Sequence, residues 1–338
     1  MSGERGYRIH GFLEVRSGYD LDRLAPFRVD RVDSPDIVVG AYRNGEPEGE
    51  RFGDFVWESD RRLTLDLGPG IRASLHRTGE RFEFTYTKQF FRVGDPEELI
   101  QALLTQALPS GGPHLLNAAG VRDPDGRGML LFGPPQSGKT TTAVQLARRD
   151  GWSLLSDEIV FVRDGKVYGL PRPVRFRRDS PLYDEERGAV GRVLNGWYRS
   201  AIPEGTRRIL GHLKHRVPGV NVGGTVLDAG ELAPVADRAS LSTCVFLRPS
   251  GDERGLESVD PAAAARSAAL LGNWISDHPF LNRYAYLDSG AEYEIPATGS
   301  EEIAPSLTDC DLYAASAPRD AFTSLLRDIP LAPGAKHP

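Results

Sequence analysis

The chain has 338 residues, of which 40% are hydrophobic and 26% charged, an ordinary globular composition that excludes wholesale disorder and predicts about two domains. The formal net charge of -6 argues against a dedicated nucleic-acid binder. No apolar run approaches the ~20 residues that span a bilayer, and the N-terminal residues lack the apolar core of a signal peptide. We therefore expect a soluble cytoplasmic protein with no nucleic-acid or membrane partner. Two cysteines, Cys244 and Cys310, are too few for a disulfide framework or a four-ligand zinc site.

Residues 1–110 predict a β-rich N-terminal domain that ends in a helix. Alternation between apolar and polar residues, typical of strands with one buried face, is partial at 7–15 and 62–67 and clearer at 81–87. Asp95 is a suitable N-cap for a helix that begins at Pro96. An apolar stripe then marks the buried face of this helix: Leu99, Ile100, Leu103, Leu104 and Leu108.

Residues 111–330 predict an α/β core, and 331–338 a frayed tail. The boundary lies at 109–113, which contains two prolines and two glycines. The pattern then changes to strand, turn, helix and strand, the order typical of α/β domains. Further along the chain we expect a hairpin, loops with short helices, a core strand and an alanine-rich helix: 159–168, 178–216, 244–247 and 261–275.

One segment carries a specific chemical signal. Gly133-Pro134-Pro135-Gln136-Ser137-Gly138-Lys139-Thr140 matches G-x-x-x-x-G-K-[ST], in which backbone amides wrap the phosphates of a nucleoside triphosphate. The lysine reaches the β- and γ-phosphates, and the hydroxyl that follows it ligates Mg²⁺. Since proline has no N–H, the phosphate-binding amides should come from the residues that follow the two prolines: Gln136, Ser137, Gly138, Lys139, Thr140 and Thr141. With only five lysines in the chain, chance gives this spacing rarely.

The context of the motif fits ATP and Mg²⁺ binding. An apolar run at 128–132 predicts a buried strand that enters the loop, and 140–149 predicts a helix that leaves it. This order brings amides and a helix N-terminus to one anion.

Two adjacent acids follow the next predicted strand, 152–156. If that strand runs parallel to the first one, Asp157 and Glu158 lie at the same sheet edge as the loop. Mg²⁺ takes oxygen ligands, and phosphoryl transfer to a hydroxyl needs a proton acceptor, so the pair can serve both needs. Their side chains diverge on an extended chain, and one of them being a solvated turn residue stays open. Which acid is the base and which the metal ligand also stays open.

These residues resemble the HPr kinase/phosphorylase group, whose fold is related to the ATP-dependent phosphoenolpyruvate carboxykinases. In most P-loop enzymes the metal carboxylate comes much later in the chain, whereas Asp157 here follows Lys139 by 18 residues (157 minus 139). The resemblance covers about 115–176, and it includes a strand at 115–121 before the loop. It implies that Asp157 is the catalytic base and that Glu158 and Thr140 help to hold the metal.

The chain departs from the usual pattern of that family. Asn117 stands where a histidine is usual, Glu158 replaces an aspartate, and the E-[IV]-R-G-h-G signature is absent. These departures make the chain more similar to divergent HPr-kinase-related proteins, some of which phosphorylate serine on small ribosomal peptides such as lasso-peptide precursors. Asn117, Arg172 and Arg175 are candidate contacts to the phosphate or acceptor, although alternate arginines also suit a solvated strand face.

The sequence therefore predicts an ATP- and Mg²⁺-dependent kinase that phosphorylates a serine hydroxyl of a peptide or protein. A small-molecule kinase on the same core is one alternative, because acceptor specificity lies outside the motifs. A non-catalytic nucleotide-binding regulatory module is another, but such a module need not keep a base beside Lys139. The acceptor and the oligomeric state, including a homo-oligomer, stay open.

Overall fold

The computed structural model describes residues 4–43, 45–92, 94–109, 111–176, 225–251, 253–276, 278–289, 299–327 and 329. The loops predicted at 178–216 and the tail at 331–338 lie outside the described residues. The chain forms two compact units that interleave along the sequence. Unit 1 comprises Met1–Asn117, Phe161–Asp164 and Pro261–Thr308, and unit 2 comprises Ala118–Val160, Gly165–Asp260 and Asp309–Pro338. The boundary predicted at residue 110 is a single cut in sequence, whereas the chain passes between these two units five times.

The described residues form a mixed α/β structure with two large mixed sheets. The strands are β1 Arg5–Ile9, β2 Leu13–Ser17, β3 Arg28–Val29, β4 Ile37–Ala41, β5 Gly49–Phe52, β6 Phe55–Glu58, β7 Arg62–Asp66, β8 Arg72–Thr78, β9 Arg81–Tyr86, β10 His114–Asn117, β11 Ala119–Arg122, β12 Arg127–Phe132, β13 Ser153–Ser156, β14 Ile159–Arg163, β15 Lys166–Gly169, β16 Val174–Phe176, β17 Thr225–Leu227, β18 Arg238–Pro249, β19 Gly255–Ser258 and β20 Asp311–Ala317. The α-helices are α1 Pro96–Ala107, α2 Lys139–Ala147, α3 Ala229–Leu232, α4 Pro261–Ser276, α5 Pro279–Ser289, α6 Ser300–Leu307 and α7 Phe322–Leu326. None of these helices is long and apolar enough to cross a membrane.

Unit 1 contains a nine-stranded sheet in the order β3-β1-β2-β4-β9-β8-β7-β6-β5. The single strand predicted at 7–15 is wrong: His10 and Gly11 have positive φ (51° and 75°), so the chain turns there and β1 pairs antiparallel with β2. The N-cap of α1 is confirmed, because the Asp95 carboxylate accepts the N–H groups of Glu97 and Glu98. The apolar stripe of α1 is buried as expected from Leu99 to Leu104.

Unit 2 is built around the long strand β18, which pairs parallel with β12 and β20 and antiparallel with β15. Strand β11 lies between β12 and β13 and is antiparallel to both. Two antiparallel steps restore the direction, so β12 and β13 run the same way and end at the same edge of the sheet. The strand predicted at 152–156 is therefore not the immediate neighbour of β12, but its direction is the expected one.

The strand predicted at 115–121 is divided in two. Ala118 separates β10, which belongs to unit 1, from β11 in unit 2. The predicted hairpin at 159–168 corresponds to β14 and β15, joined at Asp164 and Gly165, both of which have positive φ (49° and 65°). The predicted core strand and alanine-rich helix correspond to β18 and α4. Neither Cys244 nor Cys310 forms a disulfide bond.

Candidate functional site

The glycine-rich loop connects β12 to α2 in unit 2. Leu130, Leu131 and Phe132 of the strand are fully buried, which fixes where the loop begins. The chain then turns through two residues with positive φ, Gln136 (68°) and Gly138 (101°). A side chain on Gly138 would be strained at this φ, and its Cβ would lie 3.2 Å from the carbonyl oxygen of Arg319. The second glycine of the motif is thus required by the turn into the helix.

In the described part of the chain, no side chain caps the first turn of α2. Gly138 is the N-cap and has no side chain, so it supplies no acceptor to the first amides of the helix. Those amides belong to Lys139, Thr140 and Thr141, and the helix dipole places partial positive charge there. Thr140 and Thr141 are half-buried, whereas Ser137 is buried and its Oγ has no hydrogen-bond partner among the described residues. The predicted phosphate-binding residues thus lie in a loop and first helical turn that no described side chain caps.

The Lys139 side chain folds back into the loop. Its Nζ donates to the carbonyl oxygens of Gly133 at 2.5 Å and Pro134 at 3.3 Å, and the residue is 9% exposed. Burial lowers the pKa of Lys139 to about 8, and the opposite charge of Asp157 partly offsets that effect. Lys139 and Asp157 therefore interact electrostatically across the space between the loop and the acidic turn.

The acidic turn, Ser156–Glu158, follows β13. Asp157 is 7% exposed, and this burial raises the pKa of its carboxyl group, while the positive charges of Arg172 and then Lys139 act in the opposite direction. Glu158 is about half exposed. The two acids thus have different surroundings although they are adjacent in sequence, and the buried one is the better candidate for a proton acceptor.

Arg172 bridges the two acids. Its Nε lies 3.7 Å from Oδ1 of Asp157, and its terminal nitrogen forms an ion pair with Oε2 of Glu158. The Arg172 side chain is only 10% exposed, so the alternative of a solvated arginine face is wrong at this position. The bridge brings together three residues that the sequence singled out separately.

Two residues that hold the acidic turn escaped the sequence analysis. Ser156 is fully buried; its Oγ accepts the amides of Glu158 and Ile159 and donates to the carbonyl of Leu170 on a separate segment. Gly169, at the end of β15, comes so close to β13 that a Cβ there would lie within 2.8 Å of the Leu155 carbonyl carbon. Neither residue stands out in the sequence, because a serine before two acids and a glycine three residues before an arginine are common patterns. Only their contacts in the folded protein show that they hold the turn.

Two further sequence candidates are Asn117 and Arg175. Asn117 is the last residue of β10, belongs to unit 1, is 9% exposed and has an Oδ1 with no hydrogen-bond partner among the described residues. Arg175 lies on β16, where its register partner is Val226 of β17. Neither observation assigns a contact with a phosphate or an acceptor.

Three side chains of the loop and the acidic turn carry oxygen atoms of the kind that Mg²⁺ takes as ligands. Within the described residues, no three His, Cys, Asp or Glu side chains cluster so as to hold a metal ion on their own. Mg²⁺ in nucleotide sites usually takes one or two protein oxygens and completes its shell with phosphates and water. The Thr140 hydroxyl and the carboxylates of Asp157 and Glu158 are oxygen donors of the required kind.

Comparison with known proteins adds no assignment. No family model matches the chain, and no curated protein matches it significantly. The likeness to HPr kinase-related proteins therefore rests on the residues between 115 and 176 alone.

Proposed function

We propose that this protein is an ATP- and Mg²⁺-dependent kinase that transfers the γ-phosphoryl group to a serine hydroxyl of a peptide or protein. We further propose that unit 2 carries a P-loop core of the HPr kinase/phosphoenolpyruvate carboxykinase type. The observation that carries both proposals is that a motif lysine and a buried carboxylate, Lys139 and Asp157, attract each other at one edge of a sheet. That edge is where the loop after β12 and the turn after β13 both begin.

The loop supplies the nucleotide site in this proposal. The amides from Gln136 to Thr141 and the N-terminus of α2 bind the phosphates. Lys139 exchanges its two carbonyl partners, Gly133 and Pro134, for phosphate oxygens, and the charge of the triphosphate favours its protonated form. Because burial lowers the pKa of Lys139, a bound phosphate stabilises its charged form, and nucleotide binding is therefore coupled to proton uptake by this lysine.

The acidic turn supplies the chemistry. Asp157 accepts the proton of the serine hydroxyl, and burial suits it to this role because a base works best when its pKa lies near the operating pH. Thr140 and Glu158 hold the metal, which neutralises charge on the β- and γ-phosphates when bound. Arg172, which bridges the two acids, contacts the transferred phosphoryl group in this proposal.

A second candidate is a nucleotide-binding module without transferase activity. The Arg172 bridge favours it, because an arginine between both acids competes with a metal ion and lowers the basicity of Asp157. The kinase proposal requires that the bound nucleotide moves Arg172 off at least one acid. A kinase for a small-molecule hydroxyl uses the same loop and turn and differs only in the acceptor.

Nucleotide binding and serine phosphorylation test the proposal directly. The purified protein is incubated with Mg²⁺, ATP and a library of serine-containing peptides, and phosphoserine is detected by mass spectrometry. Calorimetry with a non-hydrolysable ATP analogue measures binding separately. We expect both signals from the wild type. Binding without phosphoserine supports the module or the small-molecule kinase, and a hydroxylated metabolite library in place of peptides distinguishes these two.

Lys139→Ala provides the matched test of the loop. We expect triphosphate affinity to fall by at least about tenfold and transfer by about 10²-fold or more, because the variant loses a charge aimed at phosphate oxygens. Lys166→Ala, at an exposed lysine of β15, is the control for the loss of a lysine. Unchanged affinity in Lys139→Ala, with a native circular dichroism spectrum, would show that the loop is not a nucleotide site.

A further inference from the structure

We propose that Ser156 is a positioning residue of this site, which sets the orientation of Asp157 and Glu158 by tying the acidic turn to the segment that carries Arg172. The inference rests on the proposed function for its catalytic consequence, and on the contacts of one buried hydroxyl for its structural part.

The hydroxyl of Ser156 uses its full hydrogen-bonding capacity. It donates to the carbonyl oxygen of Leu170 at 3.1 Å and accepts the amide N–H groups of Glu158 at 3.4 Å and Ile159 at 3.2 Å. Ser156 has no exposed surface, so water does not replace these bonds. One side chain therefore closes the turn around both acids and fastens it to a separate segment.

The segment it holds is the one that leads to Arg172. Leu170 lies two residues before Arg172, and Gly169 precedes it where the backbone approaches β13 most closely. The amide of Gly169 also donates to the carbonyl of Asp237 at 2.8 Å, which fixes the segment from its other side. Displacing the Leu170 carbonyl from Ser156 therefore moves Arg172 relative to the carboxylates that it bridges.

The strand register explains why this position governs the edge of the sheet. Ser156 is opposite Gly120 of β11, and Gly120 is opposite Leu130 of β12, two residues before the strand ends and the loop begins. Ser156 is thus the last residue of β13, where strand pairing still fixes the backbone, and the two acids follow it directly. Its side-chain hydrogen bonds therefore fix the position of the turn relative to the paired strands.

The experiment compares Ser156→Ala and Ser156→Thr with a matched buried serine. Ser242 is 2% exposed and, like Ser156, donates to a backbone carbonyl, in its case that of Gly128 at 3.2 Å. It lies on β18, near the start of β12 and away from the acidic turn. Ser242→Ala therefore reports the general effect of losing a buried serine. Each variant is measured for amide hydrogen exchange at Glu158 and Ile159, for affinity towards the ATP analogue, and for kcat and KM in peptide phosphorylation.

We expect Ser156→Ala to accelerate exchange at Glu158 and Ile159, to lower kcat by roughly ten- to a hundredfold, and to leave nucleotide affinity within about threefold, because the loop is unchanged. Ser156→Thr keeps the hydroxyl and should restore most of kcat, and Ser242→Ala should change neither exchange at the turn nor kcat. Unchanged exchange in Ser156→Ala would overturn the structural part. An equal loss of kcat in Ser156→Ala and Ser242→Ala would reduce Ser156 to an ordinary buried serine. A wild type without transferase activity but with protected amides would instead reject the proposed function and with it the catalytic consequence, while the positioning of the turn would stand.

Discussion

The glycine-rich loop and the acidic turn lie at the same edge of unit 2, but they are held in different ways. The loop is defined by its own residues: glycine at the N-cap, a positive φ at Gln136, and a lysine that bonds to carbonyls five and six residues before it. The turn is defined by distant partners, because Ser156 bonds to Leu170 and both acids pair with Arg172. The loop is thus held by contacts within a few residues of sequence, whereas the turn is held by contacts with a segment that the sheet brings next to it.

This difference indicates a division of labour. A loop that is shaped locally binds any ligand with the right phosphates and needs little support from the remainder of the fold. A turn that depends on a buried arginine and a buried serine responds to whatever moves those partners. We therefore expect that changes in the loop act mainly on nucleotide affinity, whereas changes in the turn act mainly on transfer.

Asp157→Asn should give the largest effect, and it should act on phosphoryl transfer. A main effect on nucleotide binding would contradict the assignment of binding to the loop and transfer to the turn. The amide keeps the size of the side chain but cannot accept a proton, so we expect phosphoryl transfer to fall by about 10²-fold or more. Affinity for Mg²⁺ and the ATP analogue should stay within about tenfold of wild type, because the loop is intact. Single-turnover transfer and calorimetry measure the two quantities separately.

The control for this variant is Asp150→Asn, at an exposed aspartate shortly after α2. It removes one carboxylate from the same unit without touching the turn, and we expect it to transfer phosphate at the wild-type rate. If Asp157→Asn keeps near-normal turnover, Asp157 is not the base, and the likeness to HPr kinases fails at its most important residue.

The same contrast explains what could be predicted from the sequence. The loop follows a fixed spacing of glycine, lysine and threonine, and the cap of α1 follows from Asp95 and Pro96, so both are recognisable along a short stretch. The common direction of β12 and β13 was also expected, although β11 lies between them. Each of these features depends on neighbours in the chain.

The parts that could not be predicted depend on pairings between remote segments. The significance of Ser156 and Gly169 appears only when β15 packs against β13, and nothing in the sequence around Arg172 indicates that its side chain is only 10% exposed. The hairpin of β1 and β2 was missed for another reason: its turn uses a histidine with positive φ, a conformation that only the residue after it, Gly11, suggests. Likewise, the break between β10 and β11 falls at Ala118, a residue type that does not indicate a strand end.

Glu158→Gln sharpens the comparison by separating the two acids of the turn. Glu158 is about half exposed and pairs with Arg172, whereas Asp157 is buried, so we expect the roles to differ. Loss of this charge should raise the Mg²⁺ concentration needed for half-maximal transfer by about tenfold, the equivalent of ~1.4 kcal/mol. Excess Mg²⁺ should restore most of the rate, whereas it should not rescue Asp157→Asn. A deficit that no Mg²⁺ concentration relieves would indicate that Glu158 acts through Arg172 rather than through the metal.

Lys139→Met should give the smallest effect, a change in the pH dependence of the free energy of unfolding. It tests whether the Lys139 ammonium group is buried against the carbonyl groups of its own loop. Burial lowers the pKa of Lys139 to about 8, below the ordinary value of 10.5, so between these two values the unfolded chain binds more protons than the native protein. Stability contributed by this group therefore rises with pH through that window, and the native state is penalised below it. From about pH 7 to about pH 8.5, the wild type should gain about 0.8 kcal/mol of unfolding free energy relative to Lys139→Met. Because the two proteins share every other titrating group, the difference between their urea unfolding curves isolates Lys139, and Lys166→Met controls for the removal of a lysine charge. A difference that does not change with pH would show that Lys139 is solvated like a surface lysine, and the loop would then owe its shape to its glycines alone.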